Sequence, residues 1–239
     1  MRLSLDPASG VRTAAPALQL GILGLTLGVV LGACLMLAAP RGLAPGLAAY
    51  LCGLSLAVRG MAAGYPHARL GMCNVVTTVR LSLVASIVGV GIAQGANWTG
   101  AALAAVALVL DGIDGWLARR QGLASAFGAS YDMEVDAGLA ACLALILLAS
   151  GRAGPELLLL GFARYAFVLA SLVLPWLAAP LQESFRRKAV CVVQIAALVI
   201  LTAPVLPGDA ARVLALGAAA LLAWSFLRDI RCLAARRSS

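Results

Sequence analysis

Half of the ten acidic residues in this 239-residue chain fall between positions 111 and 136: Asp111, Asp114, Asp132, Glu134 and Asp136. Asp111 and Asp114 are spaced to project from one side of a helix, and Asp132 and Asp136 share a face of the next. An antiparallel turn between the two helices brings both pairs together. Four close carboxylates repel one another unless cations neutralise them. Oxygen-only donors suit a hard ion, Mg2+ or Mn2+, and four of them suit two such ions. The plainer reading is a set of helix-end acids whose carboxylates snorkel to the membrane surface. Glu134 is rotated roughly 200° from both neighbouring aspartates and is expected to pack or support rather than ligate. Beside Asp114, the small Gly115 and Ala118 leave room for a ligand close to the backbone, or serve only helix packing. Arg119 can offer a bidentate fork to phosphate.

The elements that carry these acids must lie in a membrane. Of all residues 62% are hydrophobic and 12% charged, against about half and a quarter in soluble domains. This composition excludes a soluble enzyme and a disordered chain. A spanning helix needs roughly 20 apolar residues, and the charge-free stretches predict eight spans near 17–39, 43–63, 73–94, 99–119, 130–150, 155–177, 186–206 and 210–230. The break Gln94-Gly95-Ala96-Asn97-Trp98 reads as a turn between two of them. An all-α, multi-pass helical bundle in a lipid bilayer is expected, with no soluble second domain.

The net charge of +8 then reads as membrane orientation, not as a nucleic-acid partner. Most of the 18 Lys and Arg fall on one side of the eight spans, among them Arg12, Arg59, Arg69, Arg119, Arg120, Arg186, Arg187, Lys188 and Arg228. Only Arg41, Arg152 and Arg212 fall on the other. The positive-inside rule places both termini in the cytoplasm. The first apolar run is too long for a signal-peptide core and is expected to stay as a helix. Its Gly24-x3-Gly28-x3-Gly32 stripe permits close helix approach, within one chain or across a homodimer. Cys34, Cys52, Cys73, Cys142, Cys191 and Cys232 are dispersed and read as small apolar residues. His67 is expected to be a solvated interfacial residue.

The segment DGIDGWLARRQGLASAFGASYDMEVD resembles the signature of the CDP-alcohol phosphotransferase family. Asp111-x2-Asp114-Gly115-x2-Ala118-Arg119-x8-Gly128-x3-Asp132-x3-Asp136 matches it at every position. Asn74-x2-Thr77-x2-Arg80 is similar to the opening of the family's first core helix, although Cys73 stands where a proline often precedes the Asn. The resemblance implies a six-helix core in residues 66–239, with 1–65 as a tail and two extra transmembrane helices. It implies phosphatidyl transfer from CDP-diacylglycerol, or a related CDP-alcohol, to an alcohol acceptor, with CMP leaving. By the same resemblance Asp111, Asp114 and Asp132 hold the metals, and Asp136 completes the set and acts as general base. Asp111, Gly115, Ala118 and Arg119 bind the CDP moiety.

For a phosphate or the acceptor the expected residues are Asn74, Thr77, Arg80, Arg164, Arg186 and Lys188. Arg80 reads either as a phosphate holder or as an interfacial snorkeller. Arg164 lies well inside the sixth span, where an unpaired cation is costly, and Arg186, Arg187 and Lys188 cluster at the start of the seventh. Together these basic residues favour a phosphorylated polyol acceptor. Asp132-Met133-Glu134-Val135-Asp136-Ala137 and the Gly138-Leu139-Ala140-Ala141-Cys142 that follows fit neither the phosphatidylglycerophosphate nor the phosphatidylserine synthase branch. Transfer from a CDP-linked polar alcohol to diacylglycerol remains open. A cation-binding membrane transporter is the rival class, though its sites tend to lie at the midplane. Phospholipid synthesis at a bacterial inner membrane is the expected setting.

Overall fold

A computed structural model describes residues 7–121, 123–179 and 184–237. Among them eight α-helices follow one another: α1 (Pro7–Ala38), α2 (Leu43–Gly64), α3 (Met72–Gln94), α4 (Trp98–Gln121), α5 (Ala126–Ala149), α6 (Glu156–Val173), α7 (Phe185–Thr202) and α8 (Gly208–Arg237). The described residues contain no strand, and the protein is a helical membrane bundle. α1, α2, α3, α6 and α8 are long and apolar enough to span a bilayer. α5 carries Asp132, Glu134 and Asp136, and α7 opens on Arg186, Arg187 and Lys188, so neither is uniformly apolar. The described apolar part of α4 is the shorter Trp98–Ile113.

Most ends have a local cause. Gly95 turns the chain with φ +68°. Asn97 then caps α4, its Oδ1 accepting the Gly100 N–H at 2.8 Å, and Ser125 Oγ accepts the Gly128 N–H at 3.0 Å to start α5. The sixth predicted span is cut short, because Pro175 ends α6 and a 3-10 turn, Pro175–Ala178, replaces its tail. α7 stops at Thr202, with Ala203 extended before Pro204.

The chain divides into two compact units, residues 1–93 with 109–136, and residues 94–108 with 137–239. α1 and α2 therefore share a unit with α3 and with the acid-bearing segments. Within it the glycine stripe of α1 is filled by α2 of the same chain. Leu54 fills the space at Gly24, Tyr50 lies 3.1 Å from where a Gly28 Cβ would be, and Leu47 3.7 Å from that of Gly32. The close approach lets Tyr50 donate its hydroxyl to the Gly24 carbonyl at 2.8 Å. α2 in turn lies on α3: a Cβ at Gly42 would overlap the Gly89 carbonyl, and one at Gly53 would sit 2.7 Å from Leu81. α3 is half buried over its apolar window, more than the other four apolar spans, and so becomes the central post of this unit.

The second unit holds α6, α7, α8 and parts of α4 and α5. Gly161 meets the α5 backbone at Ala141, 3.2 Å from a would-be Cβ. Gln194 donates to the Leu160 carbonyl. Arg152, expected only as a far-side charge, donates to the carbonyls of Leu201, Ala203 and Leu206 at 3.4, 3.0 and 3.4 Å and closes the end of α7.

Candidate active site

Three of the four signature aspartates meet in the first unit. One carboxylate oxygen each from Asp111, Asp132 and Asp136 lies within 4.8 Å of the others. α4 delivers the first, and one face of α5 delivers the other two. The Asp114, Gly115, Ala118 and Arg119 backbones continue α4, but their side chains lie outside the described residues. Glu134 is exposed and stands outside this group.

Arg80 sits at the back of the three acids. Its Nη2 lies 2.9 Å from Asp111 Oδ1 and also pairs with Asp136 Oδ1, while Nη1 pairs with Asp132 Oδ1. The Arg80 side chain is 1% exposed, whereas those of Asp111, Asp132 and Asp136 are 29%, 36% and 39% exposed. The acids are thus partly open while the arginine that joins them is enclosed. That burial rules out the snorkelling reading of Arg80. A cation so deep in α3 needs carboxylates from other helices, a signal that was present in the sequence as an arginine without an acid on its own helix.

The elements around this point are held by short links. Tyr65 receives the Gly71 N–H on its hydroxyl at 3.1 Å, and its ring meets His67 and Phe127 edge-on. Phe127 stacks on Tyr131 at 5.7 Å, and Tyr131 donates to Thr78 Oγ1 at 3.3 Å. His67 Nε2 lies 3.3 Å from the Ala124 carbonyl. His67 is therefore a tie between the α2–α3 and α4–α5 connections, and not merely a solvated residue. The connections before α3 and before α5 therefore meet here. Asn74 is 1% exposed, with no hydrogen-bond partner for Nδ2. Its Oδ1 would lie 3.1 Å from a Cβ at Gly128, which explains why the signature glycine stands there. Thr77 donates its hydroxyl to the Cys73 carbonyl at 2.9 Å, within its own helix.

Arg164, Arg186 and Lys188 belong to the second unit. Arg186 is committed there: Nη1 donates to Ser225 Oγ at 2.6 Å, Nη2 pairs with Asp229, and the guanidinium lies over Trp224 at 5.5 Å. Arg187 lines a cavity of about 160 Å³ with Phe167, Val190, Leu222 and Phe226. Lys188 is exposed and Arg164 half-buried.

Three oxygen donors converging on one open spot fit a hard divalent cation, and no softer ligand stands among them. A family model described as CDP-alcohol phosphatidyltransferase matches residues 70–225, from just before α3 into α8. No curated protein and no solved structure matches the chain.

Proposed function

The chain belongs to the CDP-alcohol phosphatidyltransferase family, and from that premise we propose that it moves the phosphatidyl group of CDP-diacylglycerol onto a phosphorylated polyol and releases CMP. The family's chemistry is phosphatidyl transfer from a CDP-alcohol within a membrane, generally with a divalent metal. The observation that supports the finer reading is the meeting of the partly exposed Asp111, Asp132 and Asp136 around buried Arg80. With Asp114 they would hold Mg2+ or Mn2+, two ions in all, which when bound supplies charge neutralisation for the diphosphate. Asp111, Gly115, Ala118 and Arg119 border the CDP moiety, Arg119 on the diphosphate. The acceptor oxygen forms a bond to the phosphatidyl phosphorus, the bond to CMP breaks, and an Asp136 carboxylate oxygen takes the hydroxyl proton.

Residues 66–239 form the core of this activity, and residues 1–65 are an addition to it. The preference for a phosphorylated acceptor rests on the basic residues of α6 and α7, Arg164, Arg187 and Lys188. Asn74, Thr77 and Arg80 line the same face of α3. The setting is phospholipid synthesis at a bacterial inner membrane, with both termini cytoplasmic. Family membership sets aside the transporter reading.

The test is CMP release by purified protein from CDP-diacylglycerol with Mg2+ or Mn2+ and a panel of free and phosphorylated alcohols. Release only with phosphorylated polyols is the expected result. Consumption of a CDP-linked polar alcohol with diacylglycerol instead would reverse the proposed direction. Asp136→Asn should abolish turnover and leave CDP-lipid binding nearly intact; near-normal turnover would remove the base from Asp136.

A further inference from the structure

Arg80 makes contacts that a phosphate holder does not need. Its two terminal nitrogens reach Oδ1 of Asp111, Asp132 and Asp136 together, so one guanidinium gathers the three carboxylates that could hold a cation. It comes from α3, the most buried of the five long apolar spans among the described residues, and its side chain is 1% exposed. Such a guanidinium cannot leave for water; it can only shift among the buried groups around it. Without it three carboxylates in one place would repel, because no lysine or other arginine is paired with them among the described residues. Once a divalent ion occupies the centre, the same oxygens cannot keep both partners at full strength.

We propose that Arg80 is a built-in counter-cation of the acid cluster, which holds the three carboxylates together in the metal-free protein and is displaced from their oxygens when the divalent ion enters. This rests on the reading of the acids as the metal site. Its consequence is that the protein folds with the centre preassembled, at the expense of metal affinity. The apparent affinity is lowered by the fraction of molecules in which the guanidinium still holds the oxygens.

The experiment measures Mn2+ binding and thermal unfolding, in detergent and without substrate, for wild type, Arg80→Gln and Arg80→Lys. Arg80→Gln should bind Mn2+ about tenfold or more tightly than wild type. Its melting temperature without metal should fall, and saturating Mn2+ should restore it. Arg80→Lys keeps the charge but offers one ammonium in place of a three-way fork, so its Mn2+ affinity should lie between the two. Affinity in Arg80→Gln equal to or weaker than wild type overturns the proposal while leaving the metal site standing. If Arg80→Gln folds neither with nor without Mn2+, Arg80→Lys decides on the same criterion. No Mn2+ binding by any of the three proteins overturns the metal reading, and the counter-cation with it.

Discussion

Gly128 shows how one missing side chain serves the acids. Its N–H is taken by Ser125 Oγ at 3.0 Å, and a Cβ there would lie 3.1 Å from Asn74 Oδ1, which is tighter than ordinary packing. Gly128→Ala should therefore push the first turn of α5 away from α3 and misplace Asp132, four residues on. Turnover is expected to fall by about ten- to a hundredfold with unchanged far-UV circular dichroism; an unaltered kcat/KM would show that Asn74 simply yields. The acids themselves were legible in the sequence, because charges in apolar helices are conspicuous and their spacing fixes a face. The partner of Arg80 was not. Spacing along one helix says nothing about which helix comes to lie beside it, so on paper Arg80 read only as a phosphate holder or an interfacial snorkeller. The role of His67 was hidden for the same reason, since its acceptor is a backbone carbonyl 57 positions away.

At the scale of elements, apolar length located all eight helices, and errors gathered where length is not what ends a helix. α1 starts at Pro7, ten residues before its predicted span, and passes through Pro16, because helix formation does not stop where hydrophobicity does. α8 likewise runs on to Arg237 through Arg228 and Arg231. The glycine stripe of α1 was read correctly as a close-approach surface, but the sequence left its occupant open between α2 and a second copy. Tyr50→Phe removes the hydroxyl that reaches the Gly24 carbonyl and should cost about 1 kcal/mol, seen as a small drop in melting temperature. Gly42→Val is a harsher change. Its Cβ meets the backbone of Gly89 rather than a side chain that can turn away, so a loss of about 2 kcal/mol or more is expected. A variant melting with wild type would mean that α2 slides on α3.

For the whole molecule, basic-residue asymmetry makes a direct prediction. A reporter fused after Ser239 should be active only in its cytoplasmic form; activity solely outside the cell would overturn the orientation. The division into units was not legible, since α4 and α5 each contribute to both and no composition shift marks the border. Nor could the sequence show that Arg152 and Arg186, expected on opposite faces of the membrane, work on one helix. Arg152→Ala, which frees three carbonyls at the end of α7, should lower stability by about 1–2 kcal/mol without changing Mn2+ affinity. The pair has a mechanical consequence. Arg186 ties the first turn of α7 to Asp229 and Ser225 of α8, and Arg152 grips its last turn. A rod fastened at both ends cannot act as a piston: sliding along its axis would break one fastening or the other. Whatever room a lipid substrate needs near α7 must come from bending or tilting, and the helix keeps its register.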